Sequence, residues 1–197
     1  MTLRSYLIWI ALGFVIAVPI VLAATSPLLQ WRQPIYIAAG FSGIIGMGLL
    51  LVQPLLASEA LPISSTHLSR RIHRVVGAAV VLAIIVHIAG LWMFSPPDVV
   101  DALLFRSPTP FSAWGVIAMC AAFAAAFLAL TRRRLKLPPM RWRRLHMAVA
   151  ATTVVGSVIH AMLIEGTMEP ISKTVLCLFA LAATTKALID LAIWRRR

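Results

Sequence analysis

The chain has 197 residues, 61% of them hydrophobic and 12% charged, with a formal net charge of +12. A soluble globule of this composition would carry an apolar exterior, so the chain is read as living in lipid. At roughly 20 residues per crossing, spans use up most of it and leave little for a soluble domain. The positive charges sit at the ends of apolar runs, which excludes nucleic acid as the partner, and Cys120 and Cys177, each inside such a run, exclude a CxxC redox pair, a zinc knuckle and an iron–sulfur cradle.

Apolar runs predict six transmembrane helices near 5–24, 36–57, 73–95, 111–131, 144–164 and 171–194, an all-α bundle forming a single domain over 1–197. The first run, preceded by Arg4 and ending near Leu22-Ala23-Ala24, imitates a cleaved signal peptide. It is too long for one, and its removal would leave an odd number of spans. Pro19 lies inside it, where it can kink the helix. In the second run Gly40, Gly43, Gly46 and Gly48 make no nucleotide-binding loop and are read as permitting close helix packing. Internal repeats are weak.

Turn signals separate the remaining spans: Pro62, Ser95-Pro96-Pro97, Pro108 with Pro110, Pro138-Pro139 and Pro170. The third span carries His73 and His87, with His67 in the loop before it, and the fifth carries His146 and His160. Met47 and Met119 are read as packing residues, and Lys186 with Asp190, four apart in the sixth span, as an ion pair. Trp9, Trp31, Trp92, Trp114, Trp142 and Trp194 gather toward span ends as an aromatic belt would.

Orientation follows from Lys and Arg, which accumulate on the cytoplasmic side. With the N-terminus inside, that side holds fourteen: Arg4, Arg70, Arg71, Arg74, seven from Arg132 to Arg144, and Arg195 to Arg197. The outer side holds three, Arg32, Arg106 and Lys173, with the acids Asp98, Asp101, Glu165 and Glu169. Both termini are therefore expected in the cytoplasm.

Ionisable side chains within spans are rare and tend to be functional. His73 and His87 are fourteen residues apart, and so are His146 and His160. Fourteen residues at about 100° each return the second histidine to within about 40° of the first, roughly 21 Å further along. The third and fifth spans run the same way, so His73 is level with His146 and His87 with His160. Two facing neutral imidazoles make a six-coordinate haem suited to electron transfer, and two such pairs imply two b-type haems, one per leaflet. Arg70, Arg71, Arg74, Arg141, Arg143 and Arg144 are near enough the inner pair to meet propionates, and Lys186 is a further candidate.

Two segments, Ser69-Arg-Arg-Ile-His73-Arg-Val-Val-Gly77 running to His87 and Arg141-Trp-Arg-Arg-Leu-His146 running to His160, resemble the ferric reductase-like transmembrane domain. That superfamily includes ferric reductases, NADPH oxidases and the haem-binding membrane subunit of the periplasmic methionine sulfoxide reductase system. The resemblance implies that cytoplasmic reducing equivalents reach the inner haem (His73, His146), pass to the outer haem (His87, His160) and leave on the far side. The flavin and nicotinamide domains of the larger members do not follow the sixth span in these 197 residues. A separate flavoprotein reductase, free reduced FMN or FAD, or a quinol is then the expected donor, and ferric iron or a periplasmic oxidoreductase the acceptor. Two other readings stay open: a haem-free transporter using the four histidines as a proton or metal relay, and a subunit whose histidines anchor a partner. Two levels about 21 Å apart suit a relay poorly.

Overall fold

The computed structural model describes residues 2–194, with the side chains of Leu191, Ile193 and Trp194 left aside. The side chain of Trp194, counted in the aromatic belt, and Arg195 to Arg197, counted in the expected inner charge cluster, lie outside what is described. Eight α-helices follow in order: α1 Leu3–Ala24, α2 Pro34–Ala57, α3 Thr66–Phe94, α4 Pro96–Leu103, α5 Pro110–Leu130, α6 Arg132–Leu135, α7 Pro139–Leu163 and α8 Pro170–Trp194. Six of them, α1, α2, α3, α5, α7 and α8, are long and apolar enough to cross a membrane, and no strand occurs among the described residues. The chain is an all-helical, multi-pass membrane protein, as its apolar runs require.

Helix starts explain where hydropathy misjudged the boundaries. Pro34, Pro96, Pro110, Pro139 and Pro170 each stand at the first position of a helix, where the missing N–H is not needed and the fixed φ already fits. Half of the prolines read as loop punctuation are thus helix openings. Pro54, passed over in the sequence reading, lies inside α2 as Pro19 lies inside α1. α3 begins seven residues before its expected start, with the Leu68 amide donating to Ser65 Oγ at 3.2 Å. His67 is therefore an exposed residue of the first turn of α3 and not of a loop. Hydropathy marks only the apolar stretch, whereas a helix continues into the polar boundary as long as its amides are satisfied.

The helices pack as two compact units. The first, Met1–Phe94 with Glu165–Arg197, has α2 packed along α3 and against α8, while α1 lies against α8 and α2. Its buried residues include Pro19, Ala23, Leu51, Leu56, Leu176 and Ala180. The expected close packing at the α2 glycines divides by position. A Cβ on Gly48 would meet Ile16 Cγ2 at 2.9 Å, Gly46 has ordinary room beside Ala83, and Gly40 has nothing within 4 Å. Gly43 serves a different purpose, described below.

The second unit, Ser95–Ile164, is built on α5 against α7, with the short α4 and α6 lying along α5. Small residues line the contact: Ala118, Ala121 and Ala122 on α5, Gly156 and Ala161 on α7. A Cβ on Gly156 would stand 3.3 Å from the backbone of both Trp114 and Ala118. Such close approach is how helices gain contact in lipid, where burying apolar surface gives no net drive.

Candidate functional site

His73 and His87 project from α3 toward α2, and His160 projects from α7 toward α5, each meeting a backbone carbonyl. Nδ1 lies 3.2 Å from Gln53 O for His73, 2.7 Å from Ala39 O for His87 and 2.8 Å from Phe111 O for His160. A carbonyl can only accept, so Nδ1 carries the proton and the lone pair is on Nε2. This is how a protein fixes the tautomer and ring direction of an imidazole that ligates a metal through its other nitrogen. His73, His87, His146 and His160 are all half-buried.

Beneath two of the rings is a glycine, one turn after the accepting residue. A Cβ on Gly43 would stand 3.1 Å from His87 Nδ1, and one on Gly115 2.8 Å from His160 Nδ1. A Cβ at Gly115 would force a shift of the ring or the helix, and one at Gly43 would require the imidazole to give by a few tenths of an ångström. Sequence reasoning assigned Gly43 to helix packing and gave Gly115 no role. The available signal was the four-residue step to the glycine combined with the distance to the histidine, since the two Nδ1 contacts span 48 and 49 residues.

Those spacings belong to a repeat that overall similarity conceals, which corrects the reading of internal repeats as weak. Phe111 and Gly115 stand 72 residues after Ala39 and Gly43, and His146 and His160 stand 73 after His73 and His87. In this register Leu56 answers to Leu128 and Ser69 to Trp142, so Ser69-Arg-Arg-Ile-His73 overlies Trp142-Arg-Arg-Leu-His146. The structure makes the same bond at both places: Ser69 Oγ donates to Leu56 O at 2.9 Å, and Trp142 Nε1 to Leu128 O at 2.9 Å. Interhelical hydrogen bonds in membranes average only about 0.6 kcal/mol, too little to hold a bundle together. Their effect here is on direction: they set how each histidine helix lies on its neighbour.

The helix pairs α2–α3 and α5–α7, two hairpins, differ at the ends that carry His73 and His146. Gln53 takes His73 Nδ1 on its carbonyl and returns its side-chain amide to His73 O at 3.1 Å, over Gly77, where a Cβ would stand 3.0 Å from that amide nitrogen. The positions answering to Gln53 and Gly77 are Ala125 and Ala150. There the indole of Trp142 stacks on the ring of His146, with centroids 5.0 Å apart and planes 8° from parallel. The Arg132 guanidinium covers Trp142 at 4.5 Å. Trp142, counted above in an aromatic belt, is thus part of the site.

Lys186 and Asp190 form their ion pair at 2.6 Å, and Met47 is buried in packing. Arg70, Arg71, Arg74, Arg141, Arg143 and Arg144 are all exposed. Glu169 accepts from the amides of Ile171 at 2.9 Å and Ser172 at 2.7 Å, opening α8, and these bonds hold its carboxyl below the ordinary range. Among the described residues no group of three or more His, Cys, Asp or Glu could hold a metal ion. A metal held by these histidines would have to bring most of its ligands with it, as the four nitrogens of a porphyrin do, and the donor set fits haem on that ground.

Fold and site together define a multi-pass helical membrane protein in which three histidines of its long apolar helices, His73, His87 and His160, have Nδ1 anchored on a backbone carbonyl. Residues 39–157 match the family described as ferric reductase like transmembrane component, and the chain belongs to that family. The family typically binds haem, and its membrane domain serves transmembrane electron transfer. The match takes in His73, His87 and His146 and ends three residues before His160. No curated protein and no solved structure matches the chain.

Proposed function

We propose that this chain is a di-haem b cytochrome of the plasma (inner) membrane, its six spans forming one domain that moves electrons from a cytoplasmic donor to an extracytoplasmic acceptor. His73 and His146 ligate the inner iron, and His87 and His160 the outer. The observation that carries the reading is the anchoring of Nδ1 of His73, His87 and His160 on backbone carbonyls, which leaves Nε2 as the ligating atom. Iron held by two imidazoles is six-coordinate and exchanges electrons without binding oxygen. The donor is a flavoprotein reductase, free reduced flavin or a quinol. The acceptor is ferric iron or a periplasmic oxidoreductase.

The test is haem stoichiometry with low-temperature spectra on the purified protein and four single variants. His73→Ala and His146→Ala are expected to abolish one low-spin signal, His87→Ala and His160→Ala the other, while His67→Ala retains both. Should the His73 and His87 variants share one phenotype and the His146 and His160 variants another, the pairing is wrong. A colourless preparation from haem-replete cells would return the histidines to a proton or metal relay.

A further inference from the structure

The repeat isolates one substitution at the inner end of the second hairpin. Where the first hairpin has Ser69 donating to Leu56 O, the second has Trp142 donating to Leu128 O. The anchor is the same, so the indole is not needed for it; a hydroxyl makes that bond at Ser69. What the indole adds is a flat surface that stacks on His146 and also carries the Arg132 guanidinium.

The terminal torsion of a histidine is broad, so a flat group stacked on an imidazole can narrow its choice of plane. At His146 the choice is narrowed by Trp142, one turn toward the helix N-terminus, the direction in which helical side chains lean. The indole is itself fixed at two points. Nε1 is tied to Leu128 O, and the guanidinium lies over the ring, an arrangement favoured by the negative face of the aromatic system. A stack that begins on an exposed arginine of α6 therefore bears on the ring plane of His146.

We propose that Trp142 is a positioning residue for the inner haem: through its stack on His146, and held by Arg132, it fixes the plane of one axial imidazole. The proposal rests on the assignment of His146 as an iron ligand. In low-spin ferric haem the spread of the electron paramagnetic resonance g values follows the angle between the two axial imidazole planes. That spread reports the plane directly, and a merely structural contact would leave it unchanged.

Three variants separate anchor from stack in the haem-loaded protein. Trp142→Ser keeps a donor of the Ser69 kind and removes the ring. Trp142→Phe keeps a ring and removes the donor. Arg132→Gln removes the cover. The expected result is a shift and broadening of the inner-haem g values in Trp142→Ser, substantial return toward the native values in Trp142→Phe, a smaller shift in Arg132→Gln, and an unchanged outer-haem signal in all three. Native g values in both Trp142 variants overturn the proposal while leaving the ligand assignment intact. Loss of the inner haem in Trp142→Ser supports it if Trp142→Phe restores the haem, and opposes it if Trp142→Phe does not. If instead His146→Ala keeps the inner signal, the ligand assignment itself has failed, which the His146 variant shows independently of any change at Trp142.

Discussion

A single methyl group is the finest probe of the site. Gly115→Ala would set a Cβ 2.8 Å from His160 Nδ1, closer than such atoms approach, and its backbone cannot move without shifting the Phe111 carbonyl one turn away. Gly43→Ala is milder at 3.1 Å from His87 Nδ1. Both are expected to deplete the outer haem and spare the inner, Gly115→Ala the more severely, measured by haem content per protein. Gly40→Ala, with nothing within 4 Å of the new atom, is the control; it should keep both haems and gain up to about 1 kcal/mol from helix propensity. The histidines were legible in the sequence because ionisable groups stand out against an apolar run. The glycines beneath them, the Gln53 carbonyl and the stacking face of Trp142 were not. Their roles depend on which helix lies opposite and in what register, and hydropathy contains no such information.

At the scale of the helix, apolar length fixed the number of spans but not their starts. The openings come from polar chemistry: proline at the first position, Ser65 before α3, Glu169 before α8. Glu169 gives that chemistry a pH dependence. Its folded carboxyl is held below the ordinary range by the Ser172 and Ile171 amides. The stabilisation is present above the unfolded value and is lost as pH falls through the folded one. The protection factors of the Ile171 and Ser172 amides, exchange rates corrected for the intrinsic pH dependence, should fall as the medium is acidified through that lower range and stay high at neutral pH. In Glu169→Gln, which has no carboxyl to titrate, the dependence should disappear. Persistence of the pH effect in that variant would show that another group governs the start of α8.

For the whole molecule, the charge asymmetry of fourteen basic residues against three makes a topological claim. Reporter fusions at both termini and within 58–72 and 132–143 are expected to be cytoplasmic, and fusions near Arg106 and Glu165 exported. An exported C-terminus would contradict six crossings. Reversing the charges of the seven basic residues from Arg132 to Arg144 should disturb orientation more than changing any other loop, since they hold half of the inner charge. The number of spans was the most readable feature of all, because length and hydropathy are properties of stretches and survive ignorance of any contact. The duplication was hidden for the converse reason: it resides in a handful of positions and one hydrogen-bond register, spread through residues chosen mainly for being apolar.

The two hairpins have a consequence for biogenesis. The bonds that orient the first, from His87 to Ala39, His73 to Gln53 and Ser69 to Leu56, close within residues 39–87, and those of the second, from His160 to Phe111 and Trp142 to Leu128, within 111–160. The two stretches do not interleave. Synthesis at about 5–20 residues per second separates the completion of one from the other by roughly 4–15 s. The nascent chain can therefore aim His73 and His87 while the rest of the protein is still on the ribosome, and the insertion machinery has one finished hairpin to release before the next arrives.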